Sequence, residues 1–234
     1  MTAAPLEKPA LSTPLQSPAA DPQLSRLHAR IGACRRCVEV GLLGHAAPIL
    51  PAPTRAGIVL VGQAPGRVEE GVGRPFSGRA GGQLFRWLAG AGLGAEEDVR
   101  RLVYLTSITK CFPGPARTGS GDRRPSPVEV ELCRPHLERQ LRLLQPWLIL
   151  PVGQMALRRF LGSLPMQLAV GRVFGPDSSP LSVRRALGSS GRPLLLPLPH
   201  PSGASRWLNQ APHRELLAEA LATLGELVRG GVHL

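Results

Sequence analysis

The residues of this 234-residue sequence that could do chemistry fall into three groups. The first is its four cysteines, Cys34, Cys37, Cys111 and Cys133. Two residues separate the first pair and 21 separate the second. Zinc sites read from sequence usually show two close pairs, because each pair clips onto one short knuckle. Four thiolates on separated elements suit a [4Fe–4S] cube, as soft ligands do generally. On spacing alone, zinc and unliganded thiols stay open. The second group centres on His200, held between Pro199 and Pro201 after an apolar run. Two flanking prolines fix its backbone and suit a residue that points into a ligand crevice. A histidine that only bonds its own loop is the plainer alternative. The third group is Gly62-Gln63-Ala64-Pro65-Gly66, followed by a second glycine-rich turn around Phe76. Its spacing fits neither the dinucleotide nor the Walker pattern, and no Lys-Ser or Lys-Thr follows, so a phosphate cradle is disfavoured. Packing is the common fate of a phenylalanine, but in a ligand loop such a ring stacks on a planar base.

These residues need elements to position them. Asp21-Pro22 reads as a helix N-cap with proline in the first turn. Leu24, Leu27 and Ile31 follow at helical spacing and deliver Cys34 and Cys37 close together. Four apolar runs end in turn residues: 58–61, 102–108, 147–152 and 194–198. They are too short for helices and too uniformly apolar for half-exposed strands, so buried parallel strands fit them best. Helix-like segments cover 82–91, 128–145, 154–161 and 212–228. The alternation predicts a three-layer α/β/α sandwich. Ligands in such sheets sit beyond the carboxyl ends of the strands, here after Val61, Ile108, Val152 and Leu198. Ser126-Pro127-Val128-Glu129 forms a capping box that sets where Cys133 projects. Residues 112–125 and 175–192, rich in Pro, Gly, Ser and Arg, read as surface insertions that bear less on the fold. Residues 1–20 read as a disordered lead-in, and 21–234 as a single domain carrying the cysteine site.

The chain carries a formal charge of +12 and a pI near 11.3. Basic residues spread along the whole chain favour a polyanionic partner, usually nucleic acid, over an acidic membrane surface. No apolar run approaches the ~20 residues of a membrane span. No signal peptide is apparent at the N-terminus, so a cytoplasmic protein with reduced cysteines is expected.

In order along the chain, "GQAPG", "GRPFSGRAGG", "TSITKC", "PSPVEVELCRPHLERQL", "VGQMALRRFLG" and "LPHPSGASR" resemble the iron–sulfur uracil-DNA glycosylases of bacteria and archaea. The resemblance runs from about Leu24 to the C-terminus and includes all four cysteines. It implies a structural [4Fe–4S] cluster on Cys34, Cys37, Cys111 and Cys133 and a central four-stranded parallel sheet. It also implies hydrolysis of the N-glycosidic bond of deoxyuridine in DNA by a monomeric enzyme. By position, Gly62, Gln63, Ala64, Pro65 and Gly66 form the loop near the sugar and the uracil O2 edge. Phe76 is the stacking ring, and His200 the donor to uracil O2. Ser202 and Arg206 belong to the substrate-binding loop, with Arg206 placed to fill the gap left by an extruded nucleotide or to meet a phosphate. Trp207 would support that loop from the core, and Ala204 is too small to act as a wedge. Two positions depart from the family. Gln63 stands where it has a glutamate, and Ser107 where an asparagine reads the uracil edge. Arg79 stands where the other iron–sulfur branch has an aspartate. With Gln63 unable to act as a general base, a slower or more permissive enzyme is expected. The alternative is a glycosylase-fold protein that binds damaged DNA and cleaves it poorly.

Overall fold

The computed structural model describes residues 20–117, 121–189, 193–203 and 205–230. Most of the lead-in expected over 1–20, and the Ala204 position, lie outside the described residues. The helices run in chain order as α1 (Pro22–Gly32), α2 (Arg36–Glu39), α3 (Arg67–Val72), α4 (Arg79–Leu88) and α5 (Glu96–Leu102). They continue as α6 (Pro127–Leu144), α7 (Gln154–Leu161), α8 (Met166–Ala169), α9 (Val183–Gly188) and α10 (Ala211–Gly230). The strands are β1 (Ile58–Gly62), β2 (Val103–Ser107), β3 (Leu148–Pro151), β4 (Val173–Phe174), β5 (Pro180–Leu181) and β6 (Leu194–Leu195).

The sheet order is β2-β1-β3-β6-β4-β5. Its first four strands are the four apolar runs, and they are parallel as expected. The antiparallel strands β4 and β5 extend it to six. That extension changes the reading of 175–192, since β5 and α9 lie within this segment. Its short strands alternate with turn residues, so no apolar run of useful length marks them.

Uniformly apolar strands become two-sided once the pleat is imposed. Ile58 and Leu60 of β1 join Leu105, Leu148 and Leu150 in a core built with α4, α5 and α10. Val59 and Val61 point the other way, with Tyr104 and Ile149, against Leu24 of α1, Leu137 and Leu144 of α6, and α7. This is the three-layer sandwich, with successive side chains on opposite faces. Asp21 caps α1 as its sequence suggests, accepting the Gln23 and Leu24 N–H groups at 2.8 Å. Ser126 and Glu129 cap α6 reciprocally. Among the described residues, no helix is long and apolar enough to cross a membrane.

Candidate active site and cysteine pocket

The carboxyl ends of the parallel strands are stitched to one another. Gly62 pairs in register with Ser107, the Val152 N–H donates to the Val61 carbonyl at 2.9 Å, and the Gly153 N–H donates to Leu198 at 2.9 Å. The residues that follow β2, β1, β3 and β6 are therefore brought to one edge. Along that edge two rings lie on two glycines. The Phe76 ring covers Gly62 so closely that a Cβ there would meet Cζ at 2.8 Å. The His200 imidazole covers Gly153, where a Cβ would lie 3.2 Å from Cδ2.

His200 is oriented by its own loop. Its Nδ1 accepts the Ser202 backbone N–H at 3.2 Å and lies 2.8 Å from Ser202 Oγ. An Nδ1 that accepts leaves the proton of the neutral ring on Nε2, as a donor. Burial lowers the His200 pKa, and the nearby charge of Arg124 lowers it further, so the neutral ring is favoured. The loop histidine thus does bond its own loop, in a way that prepares its other nitrogen.

Glu69 joins the two glycine-rich turns. Its carboxylate accepts the Gly66 N–H at 2.9 Å and the Gly78 N–H at 2.8 Å, capping the N-termini of α3 and α4 together. A side chain at either glycine would crowd these carboxylates. A Cβ on Gly66 would come within 2.8 Å of the Glu69 and Asp122 carboxylates, and one on Gly78 within 3.2 Å of Glu69. Asp122 also accepts the Arg67 N–H at 3.3 Å. It belongs to 112–125, which folds back through the Pro115–Asp122 bridge. In that segment Arg123 forms a two-pronged ion pair with buried Glu129, 2.7 Å on each prong. The segment expected to be a peripheral insertion is tied to the first glycine loop, to α6 and, through the charge of Arg124, to His200. No residue pattern in the sequence marked Glu69, Asp122 or Arg123 for these partners.

Gln63 and Ala64 are half-buried and Pro65 is buried. The Gln63 carbonyl accepts the Thr109 N–H at 3.2 Å. Ser107 is 7% exposed, and its hydroxyl donates to the Thr109 carbonyl at 2.6 Å. Its donor is therefore committed and only acceptor capacity remains. The Ser107 carbonyl accepts from the buried Lys110 ammonium, which also donates to Thr106 Oγ1 at 2.8 Å. Burial pulls the Lys110 pKa down to about 8. Arg206 is exposed at the head of a 3-10 turn, Arg206–Asn209. Trp207 behind it packs on the core and stacks on His213, with ring centroids 4.1 Å apart. Arg79 is exposed at the start of α4.

All four cysteines line one pocket, together with Ile31, Leu43, Leu132 and His136. The α1–α2 junction supplies Cys34 and Cys37, the turn after β2 supplies Cys111, and α6 supplies Cys133. The Lys110 N–H donates to Cys133 Sγ at 3.3 Å. Burial, with the neighbouring thiols, pushes the Cys37 pKa up to about 11 and that of Cys111 up to about 12. Such thiols are poor nucleophiles, which argues against a catalytic cysteine here. Among the described residues, no group of three or more His, Cys, Asp or Glu side chains is arranged to hold a metal ion.

The sequence model of the Uracil DNA glycosylase superfamily matches residues 50–224. The chain is similar to the type-4 uracil-DNA glycosylase of Archaeoglobus fulgidus, 42% identical over 102 residues, 44% of this chain and 46% of the relative. It is also similar to that of Pyrobaculum aerophilum, 33% identical over 130 residues, 56% and 60% of the two chains. The type-4 enzyme of Thermotoga maritima is 36% identical over 103 residues, 44% of this chain and 48% of the relative. The chain thus matches about half the length of these curated relatives.

Proposed function

The chain belongs to the uracil DNA glycosylase superfamily, and from that premise we propose that it excises uracil from DNA by hydrolysing the N-glycosidic bond. The observation that carries this reading is the pair of rings at the strand ends, with Phe76 on Gly62 and His200 on Gly153. Uracil flipped out of the duplex stacks on Phe76, which supplies orientation. As the bond breaks, negative charge gathers on the base and positive charge on the sugar. The His200 Nε2–H donates to uracil O2, and backbone amides of the Gln63–Ala64 turn add to the anion-stabilising set. Ser107, left with acceptor capacity, takes the uracil N3–H. Gly62, Pro65 and Gly66 let the backbone approach the sugar, and the Gln63 amide holds a water or a base edge. Ser202 keeps His200 in its donor tautomer, and exposed Arg206 meets the DNA.

Cys34, Cys37, Cys111 and Cys133 hold a [4Fe–4S] cluster in this reading. Four soft thiol donors lining one pocket, supplied by separate elements, support this part of the reading. The group ties α1, the turn after β2 and α6 together as a structural staple. The +12 charge supports DNA as the partner.

A labelled single-stranded oligonucleotide containing uracil, incubated with the protein and treated with alkali, tests the activity. Strand breaks at the uracil are expected. A gel shift without breaks would favour a damage-binding protein instead, the reading that Gln63 and Ser107 support.

A further inference from the structure

We propose that Arg100 is a positioning residue for the site: it holds Phe76 in a backbone conformation that presents the ring, and so sets how firmly a flipped base is gripped. Phe76 has φ +54°, in the left-handed region that a bulky side chain rarely adopts. Such a residue persists only where its surroundings over-determine it. Two features impose it here. A Cβ on Gly81 would lie 1.9 Å from the Phe76 carbonyl oxygen, so α4 presses against this peptide. From the other side, Arg100 Nη1 donates to the Pro75 carbonyl at 2.9 Å and Nη2 to the Phe76 carbonyl at 3.3 Å.

Arg100 is itself pinned. Its Nε donates to Glu96 at 2.9 Å, and its guanidinium lies 4.6 Å from the centroid of the Phe85 ring. Its side chain is only 10% exposed. A planar fork so placed clasps two successive carbonyls, which a lysine ammonium cannot do in the same geometry. A second, exposed pair, Arg74 with Glu97 at 2.7 Å, docks the same turn on α5. Helix α5 leads directly into β2, which ends at Ser107. The stacking ring and the edge-reading serine are therefore set from one short stretch of chain.

The functional part of the inference rests on the uracil-excising reading; the conformational part does not. The crystal structure of Arg100→Met tests the latter. Phe76 is expected to leave the left-handed region, and a φ still near +54° would overturn the proposal whatever the protein's activity. Kinetics on a uracil oligonucleotide test the rest, with thermal melting as a check that each variant folds. Arg100→Met is expected to raise KM about tenfold with a smaller change in kcat, and Arg100→Lys to rescue it only partly. In a Phe76→Ala background, Arg100→Met should add nothing. A further loss of similar size in that background would show that Arg100 does not act through the ring. No uracil release by the wild type would sink the glycosylase reading and leave the crystallographic test standing.

Discussion

At the residue scale, His200 shows how a loop contact orients the nitrogen proposed to meet uracil. The Ser202 N–H fills Nδ1, so the neutral ring carries its proton on Nε2. His200→Ala should slow uracil release about 10²–10³-fold, the usual effect of removing one donor from an anion hole, with little change in melting temperature. Full retained activity would remove His200 from the mechanism. The pH profile carries a sign as well. Burial and Arg124 lower the His200 pKa below its ordinary 6.5, so the neutral donor persists as pH falls through 6.5. The rate should hold at pH 6.5 and decline only below it. Arg124→Ala should move that acid limb towards higher pH, and an unmoved limb would separate Arg124 from His200.

At the element scale, the glycine loops act as a unit because one carboxylate caps two helices. Glu69→Ala leaves the Gly66 and Gly78 N–H groups without their acceptor. Loss of a capping acceptor costs about 0.5–2 kcal/mol, so with two helices uncapped a fall of about 1–4 kcal/mol is expected from urea unfolding. Uracil release should fall too, since both the base-edge loop and the Phe76 turn lose their anchor. Unchanged stability and activity would mean that water replaces the carboxylate without consequence. The capping box at Ser126 was legible as a residue pattern. The clamps made by Asp122, Arg123 and Arg100 were not, because each joins residues more than five apart through loops without periodicity.

At the scale of the whole molecule, a directed chain of hydrogen bonds crosses one layer of the sandwich. The Lys110 ammonium donates to Thr106, Thr106 to Gln140 at 3.3 Å, and Gln140 to the Tyr104 hydroxyl at 2.7 Å. The Tyr104 hydroxyl lies 2.6 Å from His28 Nε2. Burial, helped by the charge of Lys110, lowers the His28 pKa to about 4. Below pH 6.5 the unfolded chain takes up a proton that the folded chain refuses until about pH 4. The stability from this site is therefore full above pH 6.5 and is lost as pH falls toward 4. The urea midpoint should drop between pH 7 and pH 4.5, and drop less in His28→Gln. An equal drop in both would assign acid lability elsewhere.

The sequence by itself determined the elements and the chemistry available to them. Short apolar runs ending in turns had to become buried strands, Asp21 and Ser126 had to open helices, and four cysteines with His200 bounded the chemistry. What the sequence left open was direction and proximity. Ile58 and Val59 are equally apolar, and only packing sends one toward α4 and the other toward α6. The strands β4 and β5 are too short to carry a period and exist because β6 offers an edge to pair with. The three cysteine-bearing segments meet because α1 packs on α6 and β2 ends beside both. Phe76 is a ring in a loop until Gly81 and Arg100 force its backbone and Gly62 admits its face. Contacts between residues distant in sequence leave no local pattern, and in this chain they decide where each reactive group points.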